Sequence, residues 1–142
     1  MIIPIGCDHA GFKTKELIVN HLTKKGLQVK DFGCYSETSI DYPDYAHPVA
    51  QMVEENSGML GILLCGSGNG INMTANKHAG IRSALCWEKE IAELARSHND
   101  ANIIAIPARF VSEELAIEMV DAFLSTVFEG GRHQNRIDKI PC

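Results

Sequence analysis

Hydrophobic residues change their spacing repeatedly along the chain. Residues 1–7 (MIIPIGC) are apolar and β-rich, although Pro4 weakens a strand there. Residues 11–26 place Phe12, Leu17 and Leu22 at helical spacing and stop at Gly26. Residues 27–32 (LQVKDF) alternate as a short strand. A polar loop, 33–44, leads to a second helical pattern over 45–58. Residues 59–65 (MLGILLC) form a continuous apolar run, the mark of a strand buried on both faces. A short helix is predicted within 70–78, a fourth strand over 81–86, a Glu-rich helix over 88–100 and a fifth strand over 102–107. Residues 112–128 form the best helix of the chain, with Ser112 as N-cap and Glu114 in the first turn.

Five strands alternating with helices predict an α/β, doubly wound domain around a mostly parallel sheet. No repeat, linker or low-complexity tract interrupts the pattern. Residues 1–142 are therefore expected to form a single domain, with 129–142 as a basic C-terminal segment. In such sheets ligands bind beyond the carboxyl ends of the strands, near the switch point of strand order. A right-handed crossover would set the first and third strands side by side. The loops CDHAG and CGSGNG would then face one crevice.

CGSGNG (65–70) is the richest of these loops. Gly66, Gly68 and Gly70 are spaced G-x-G-x-G, which is neither the dinucleotide fingerprint nor the Walker loop. A cysteine-phosphatase loop would need arginine where Ile71 stands. What remains is a strand–loop–helix turn whose N–H groups can converge on an anionic oxygen. The plainer alternative is a tight turn whose glycines only relieve strain. Cys65 stands where the helix field is strongest. A thiol that ordinarily ionises near about 8.5 is expected to be pulled down there, toward a competent base. The plainer alternative is a buried strand-end cysteine.

Asp8 and His9 follow the first strand directly, at the same edge. Imidazole is the side chain type able to donate or accept a proton near neutral pH, which makes His98 a candidate, but it precedes the fifth strand and so lies at the opposite edge. It makes sense in a site only if a second subunit presents it. Arg109 follows the fifth strand. Arg132 and Arg136 share a face if GGRHQNR is helical, and paired guanidinium forks suit phosphate; a solvated basic tail is the alternative. His21, His47 and His78 show no partner pattern and read as structural or surface residues.

Composition narrows the class. Apolar residues make up 45% and charged residues 22%, as in a soluble globular protein. A formal net charge of −5 with no basic stripe argues against nucleic acid as a partner. No apolar run approaches the about 20 residues of a membrane helix, and the N-terminus turns polar too soon for a signal peptide, so a cytoplasmic location is expected. The five cysteines (Cys7, Cys34, Cys65, Cys86, Cys142) are odd in number and contain no C-x-x-C, which argues against a disulfide framework or a structural zinc. Cys7 and Cys86 end strand-like runs and read as buried and inert. Cys7 could still approach Cys65 across the sheet, which leaves a redox or covalent role open.

The segments GCDHAGF, DYPDYA, CGSGNG, ANKHAGIRSALC, HNDAN and EGGRHQNR, in this order, resemble the ribose-5-phosphate isomerase B family of sugar-phosphate isomerases, which also includes allose-6-phosphate and galactose-6-phosphate isomerases. The resemblance spans essentially the whole chain. It implies a Rossmann-like three-layer sandwich, no metal or organic cofactor, and a homodimer or homotetramer with active sites shared between subunits. It implies that Cys65 moves the proton between C2 and C1 and that His98 assists ring opening. Asp8, His9 and Tyr42 would contact the sugar. Gly66, Ser67, Gly68, Asn69 and Gly70 would hold the enediolate oxygens, and Asn99 would bind substrate. Arg109, Arg132 and Arg136 would hold the phosphate. One branch of the family carries a glutamate just after the glycine loop. Here that position is Ile71, which fits the cysteine branch. The rival readings are the same chemistry on allose 6-phosphate, a non-catalytic sugar-phosphate-binding module, and a cysteine hydrolase or redox protein.

Overall fold

Strands β1 (Ile2–Cys7), β2 (Gln28–Asp31), β3 (Gly61–Cys65), β4 (Ser83–Leu85) and β5 (Ile103–Pro107) lie in one sheet, in the order β2-β1-β3-β5-β4. The computed structural model describes all of residues 1–142. Every strand pairing is parallel, so the sheet expected to be mostly parallel is wholly so. β1 is central despite Pro4, because its pairing with β3 begins only at Ile5. The missing N–H therefore falls outside that ladder.

Helices α1 (Phe12–Lys24), α2 (Pro43–Glu55), α3 (Asn69–Ala75), α4 (Lys89–Ser97), α5 (Glu113–Ser125) and α6 (Arg132–Asp138) follow the strands in alternation. Strand periodicity sorts the core into two halves. Ile3, Ile5 and Cys7 of β1 pack with Ile62 and Leu64 of β3 against Ile18, Leu22, Met119 and Phe123 of α1 and α5. Leu63 and Cys65 turn to the other face and pack with Val49, Val53 and Ile71 of α2 and α3. The result is a three-layer α/β sandwich.

Local chemistry sets the element ends. Gly26 takes φ +84°, the left-handed conformation that closes α1. Ser112 Oγ accepts from the Leu115 N–H at 3.0 Å, with Glu113 and Glu114 in the first turn of α5. α2 starts at Pro43, two residues earlier than apolar spacing predicts, because proline is preorganised for a helix's first turn. His21 bonds Asp121 at 2.8 Å and ties α1 to α5. α6 forms as the C-terminal pattern allows, with Arg132 and Arg136 exposed and His133 and Ile137 buried. No helix is long and apolar enough to cross a membrane.

Candidate active site

The order of strands puts the reversal of direction between β1 and β3, and the loops after both strands open there. After β1, Asp8 Oδ1 accepts from the N–H groups of Ala10 (2.9 Å) and Gly11 (3.1 Å) and caps a short 3-10 turn over His9–Gly11. His9 Nδ1 accepts from the Ile40 N–H at 3.3 Å, so the neutral ring carries its proton on Nε2. Gly11 lies so close to Leu64 that an added Cβ would sit 2.8 Å from the Leu64 Cβ, which presses this turn onto β3.

After β3, the chain turns sharply into α3. Gly68 holds φ +77°, and a Cβ there would run into Leu85. Gly70 lies under the Tyr42 ring, with its added Cβ only 2.7 Å from the Tyr42 hydroxyl oxygen. Arg109, after β5, lays its guanidinium over Gly66, and its own N–H donates to the Gly66 carbonyl at 3.0 Å. Cys65, Gly66, Ser67, Gly68, Asn69, Gly70, Asp8, His9, Tyr42 and Arg109 thus gather at one edge of the sheet, as the strand–loop pattern predicts.

The Cys65 thiol departs from expectation. Its burial, the largest influence, pushes it above its ordinary value. The N–H of Ile71 favours the thiolate, the Asp8 carboxylate opposes it, and the N–H groups of Gly68 and Ser67 favour it again. The helix-end N–H groups expected to lower this thiol do act in that direction, but desolvation outweighs them. Cys65 also has no sulfur partner. Cys7 faces the opposite half of the core and pairs with Cys34 at 3.8 Å, which removes Cys7 as a resolving cysteine for Cys65.

The remaining predicted residues lie elsewhere in the chain. His98 closes the C-terminus of α4 and stacks on His133 of α6, with ring centroids 4.2 Å apart. Asn99 lines a cavity of about 690 Å³ with Arg82, Ile137 and Ile140. Arg132 and Arg136 flank His133, and neither has an acidic partner within the chain; nor does Arg109. This group sits toward the amino end of β5, on the order of 15 Å of strand away from the Cys65 edge.

Spacing alone did not reveal Glu129. Its carboxylate lies 3.9 Å from His98 Nε2 and 3.8 Å from His133 Nε2, and its N–H donates to Ser97 O at 3.0 Å. The i,i+4 spacing of Glu129 and His133 was the available signal. Ligand atoms of His98, Glu129 and His133 lie within 4.8 Å of one another. The two rings are only 16° from parallel, so their in-plane lone pairs do not meet at one point. His133 is held below the ordinary imidazole value by desolvation, then by His98 and Arg132, against Glu129. Its Nε2 is buried and makes no hydrogen bond, the Glu129 oxygen at 3.8 Å being too far for one. This end of the molecule is better disposed to an anion than to a cation. His47 and His78, expected to stand alone, bond each other at 2.8 Å, and His78 reaches Glu54 at 3.3 Å. These contacts join α2 to the segment after α3 across a sequence distance that no local pattern reports.

Residues 3–140 match the family model described as ribose/galactose isomerase. The chain belongs to this family. Over 138 residues it is 49% identical to the ribose-5-phosphate isomerase B of Escherichia coli (strain K12), covering 97% of this chain and 93% of that protein. A crystal structure of a ribose 5-phosphate isomerase from Thermotoga maritima superposes with a TM-score of 0.95 at 53% identity, covering 98% of this chain and 96% of that one. The ribose-5-phosphate isomerase B of Mycoplasma genitalium, solved with bound ribulose-5-phosphate, superposes with a TM-score of 0.94 at 47% identity, covering 98% of this chain and 93% of that one. The family and the Rossmann-like sandwich agree with what the sequence motifs imply.

Proposed function

We propose that this protein interconverts ribose 5-phosphate and ribulose 5-phosphate in the cytoplasm, with Cys65 moving a proton between C2 and C1. The observation that carries the mechanism is the placement of Cys65 at the mouth of the Gly66–Gly70 turn, at the ligand-binding edge, with the Tyr42 ring over Gly70 and the Arg109 guanidinium over Gly66. A proton beside a carbonyl becomes abstractable when the oxygen it charges is held by preorganised donors. Losing one such donor typically costs about 3–4 kcal/mol of barrier. A single base on one face returns the proton to the neighbouring carbon, and no electron acceptor is needed.

The two groups of site residues make one site when two subunits meet. The basic segment 129–142 and the end of α4 would approach a neighbour's Cys65 edge. The partner subunit's His98 would then assist ring opening, its Asn99 would hold the sugar, and its Arg132 and Arg136 would join Arg109 on the phosphate. Assembly also answers the thiol's raised value. The isolated subunit surrounds Cys65 with burial and the Asp8 carboxylate, whereas incoming cations would favour the thiolate. The phosphate grip, remote from the reacting carbons, fixes orientation.

Complementation tests this reading. Cys65→Ala and His98→Ala proteins are purified, unfolded together and refolded as a mixture. A shared site restores up to about a quarter of wild-type turnover of ribose 5-phosphate, because mixed dimers regain one intact site. A mixture no more active than its components would contradict the shared site. Faster turnover of allose 6-phosphate would keep the chemistry and change the substrate.

A further inference from the structure

β1 ends in a thiol that the proposed isomerase chemistry does not use. Cys7 Sγ lies 3.8 Å from Cys34 Sγ, and the two residues are 0% and 2% exposed. Their backbones are already joined. The Cys7 N–H donates to Gly33 O at 2.7 Å, and the Cys34 N–H donates to Cys7 O at 3.0 Å. Chains bonded in this way run about 4.8 Å apart, inside the roughly 4.4–6.8 Å that disulfide-linked Cα atoms span. A bond at about 2.05 Å needs the sulfurs to close by about 1.8 Å, within reach of side-chain rotation and a small backbone shift.

The surroundings bear on reactivity in both directions. Burial, followed by the Cys34 thiol, holds the Cys7 thiol far above its ordinary value, while the Lys15 ammonium opposes that rise. Lys15 is itself wholly buried and bonded to Asp31 at 2.6 Å. Cys34 is the more reachable sulfur. It precedes the exposed residues Tyr35, Ser36 and Glu37, in a stretch without helix or strand, and its Sγ donates to Ser36 O at 3.3 Å. Opening of this stretch would expose Cys34 first.

We propose that Cys7 and Cys34 form a dithiol oxidation site, which a peroxide converts to a disulfide joining the end of β1 to the loop that leads to Tyr42. The Cys34 sulfur attacks one peroxide oxygen, the O–O bond breaks, and Cys34 becomes a sulfenic acid with release of one water. The Cys7 sulfur then displaces the sulfenic oxygen, which leaves as a second water, and the S–S bond forms. Two thiols lose two electrons and two protons; one peroxide gains them.

The bond would reach the candidate crevice from both ends. Cys7 is followed directly by Asp8 and His9. The loop from Cys34 carries Ile40, whose N–H donates to His9 at 3.3 Å, and then Tyr42, whose ring covers Gly70. A misplacement of about 1 Å in a catalytic constellation costs up to roughly 100-fold. The effect on turnover rests on the isomerase reading; the formation of the bond does not.

The test uses reduced wild-type protein beside Cys34→Ala and Cys7→Ala, each checked for native circular dichroism. All are treated with graded hydrogen peroxide, alkylated, digested and analysed by mass spectrometry, with turnover measured in parallel. A Cys7–Cys34 linked peptide supports the proposal when wild-type turnover also falls about 10-fold or more below identically treated Cys34→Ala and dithiothreitol restores it. Free, alkylatable Cys7 and Cys34 at doses that already oxidise Cys65 would overturn it. A linked peptide with unchanged turnover would overturn the coupling to the crevice. Absence of turnover in the untreated reduced protein would instead contradict the isomerase reading, and the peptide map would still decide whether the bond forms.

Discussion

Replacing Gly68 with alanine tests whether the turn behind Cys65 is held by backbone conformation and by close packing at once. Gly68 sits at φ +77°, where a side chain costs about 1–2 kcal/mol. Its new Cβ would also overlap Leu85 Cδ1 and stand 3.2 Å from the Pro107 nitrogen. The leucine can yield, but the β5 backbone can yield only slightly, and such overpacking costs about 1–3 kcal/mol. The sum, about 2–5 kcal/mol, is a large share of the roughly 5–15 kcal/mol that holds a domain together. Gly26→Ala is the matched control, because Gly26 has φ +84° and nothing within 4 Å of its added Cβ. It should show the backbone cost alone. Urea denaturation of both variants, with equal m-values, gives the packing cost as a difference of about 1–3 kcal/mol. Equal destabilisation by the two substitutions would refute the packing argument. Because Gly68 also sets the turn that leads from Cys65 into α3, Gly68→Ala should lose turnover even at temperatures where it remains folded.

Three further outcomes follow from the same geometry. Burial pushes the Cys86 thiol from 9.0 up to about 12, so its contribution to stability is complete below pH 9.0 and is lost as pH rises from there toward about 12; the unfolding free energy from urea denaturation should fall across that window by about 1.4 kcal/mol per pH unit for this one group, and Cys86→Ala should flatten the fall. Arg132→Ala and Arg136→Ala should each lower kcat/KM for ribose 5-phosphate by roughly 10- to 100-fold, the worth of a charge-assisted hydrogen bond, while leaving urea midpoints near wild type because both side chains are exposed and unpaired. Lys15→Met should cost about 3–5 kcal/mol at neutral pH, measured by urea denaturation, because it strands Asp31 beside a buried apolar replacement.

The sheet was legible because buried parallel strands write themselves as apolar runs. The runs ending at Cys65 and Pro107 became β3 and β5, buried at every residue. The placement of His98 at the wrong edge for a single-chain site was also readable, since it depends only on chain order around a parallel sheet. The direction of the Cys65 shift was not. It depends on how deeply the sulfur is packed, and a helix terminus in the sequence says nothing about desolvation. The pairs His21–Asp121, His47–His78 and Cys7–Cys34 were equally hidden, because each joins elements whose contact is created by the tertiary fold. Glu129 lay between these cases: its spacing to His133 was visible, but its approach to His98 required the backbone bond to Ser97.

The central claim is that the Cys65 thiol carries the proton. The most direct measurement is proton NMR of ribose 5-phosphate in D2O with wild-type protein, Cys65→Ala and Cys65→Ser. The account predicts that wild-type protein yields ribulose 5-phosphate with deuterium entering at the exchanging carbon, and that both variants lose conversion and exchange together, the serine hydroxyl being far too weak an acid to serve. Deuterium entry and conversion at wild-type rates in folded Cys65→Ala would contradict it.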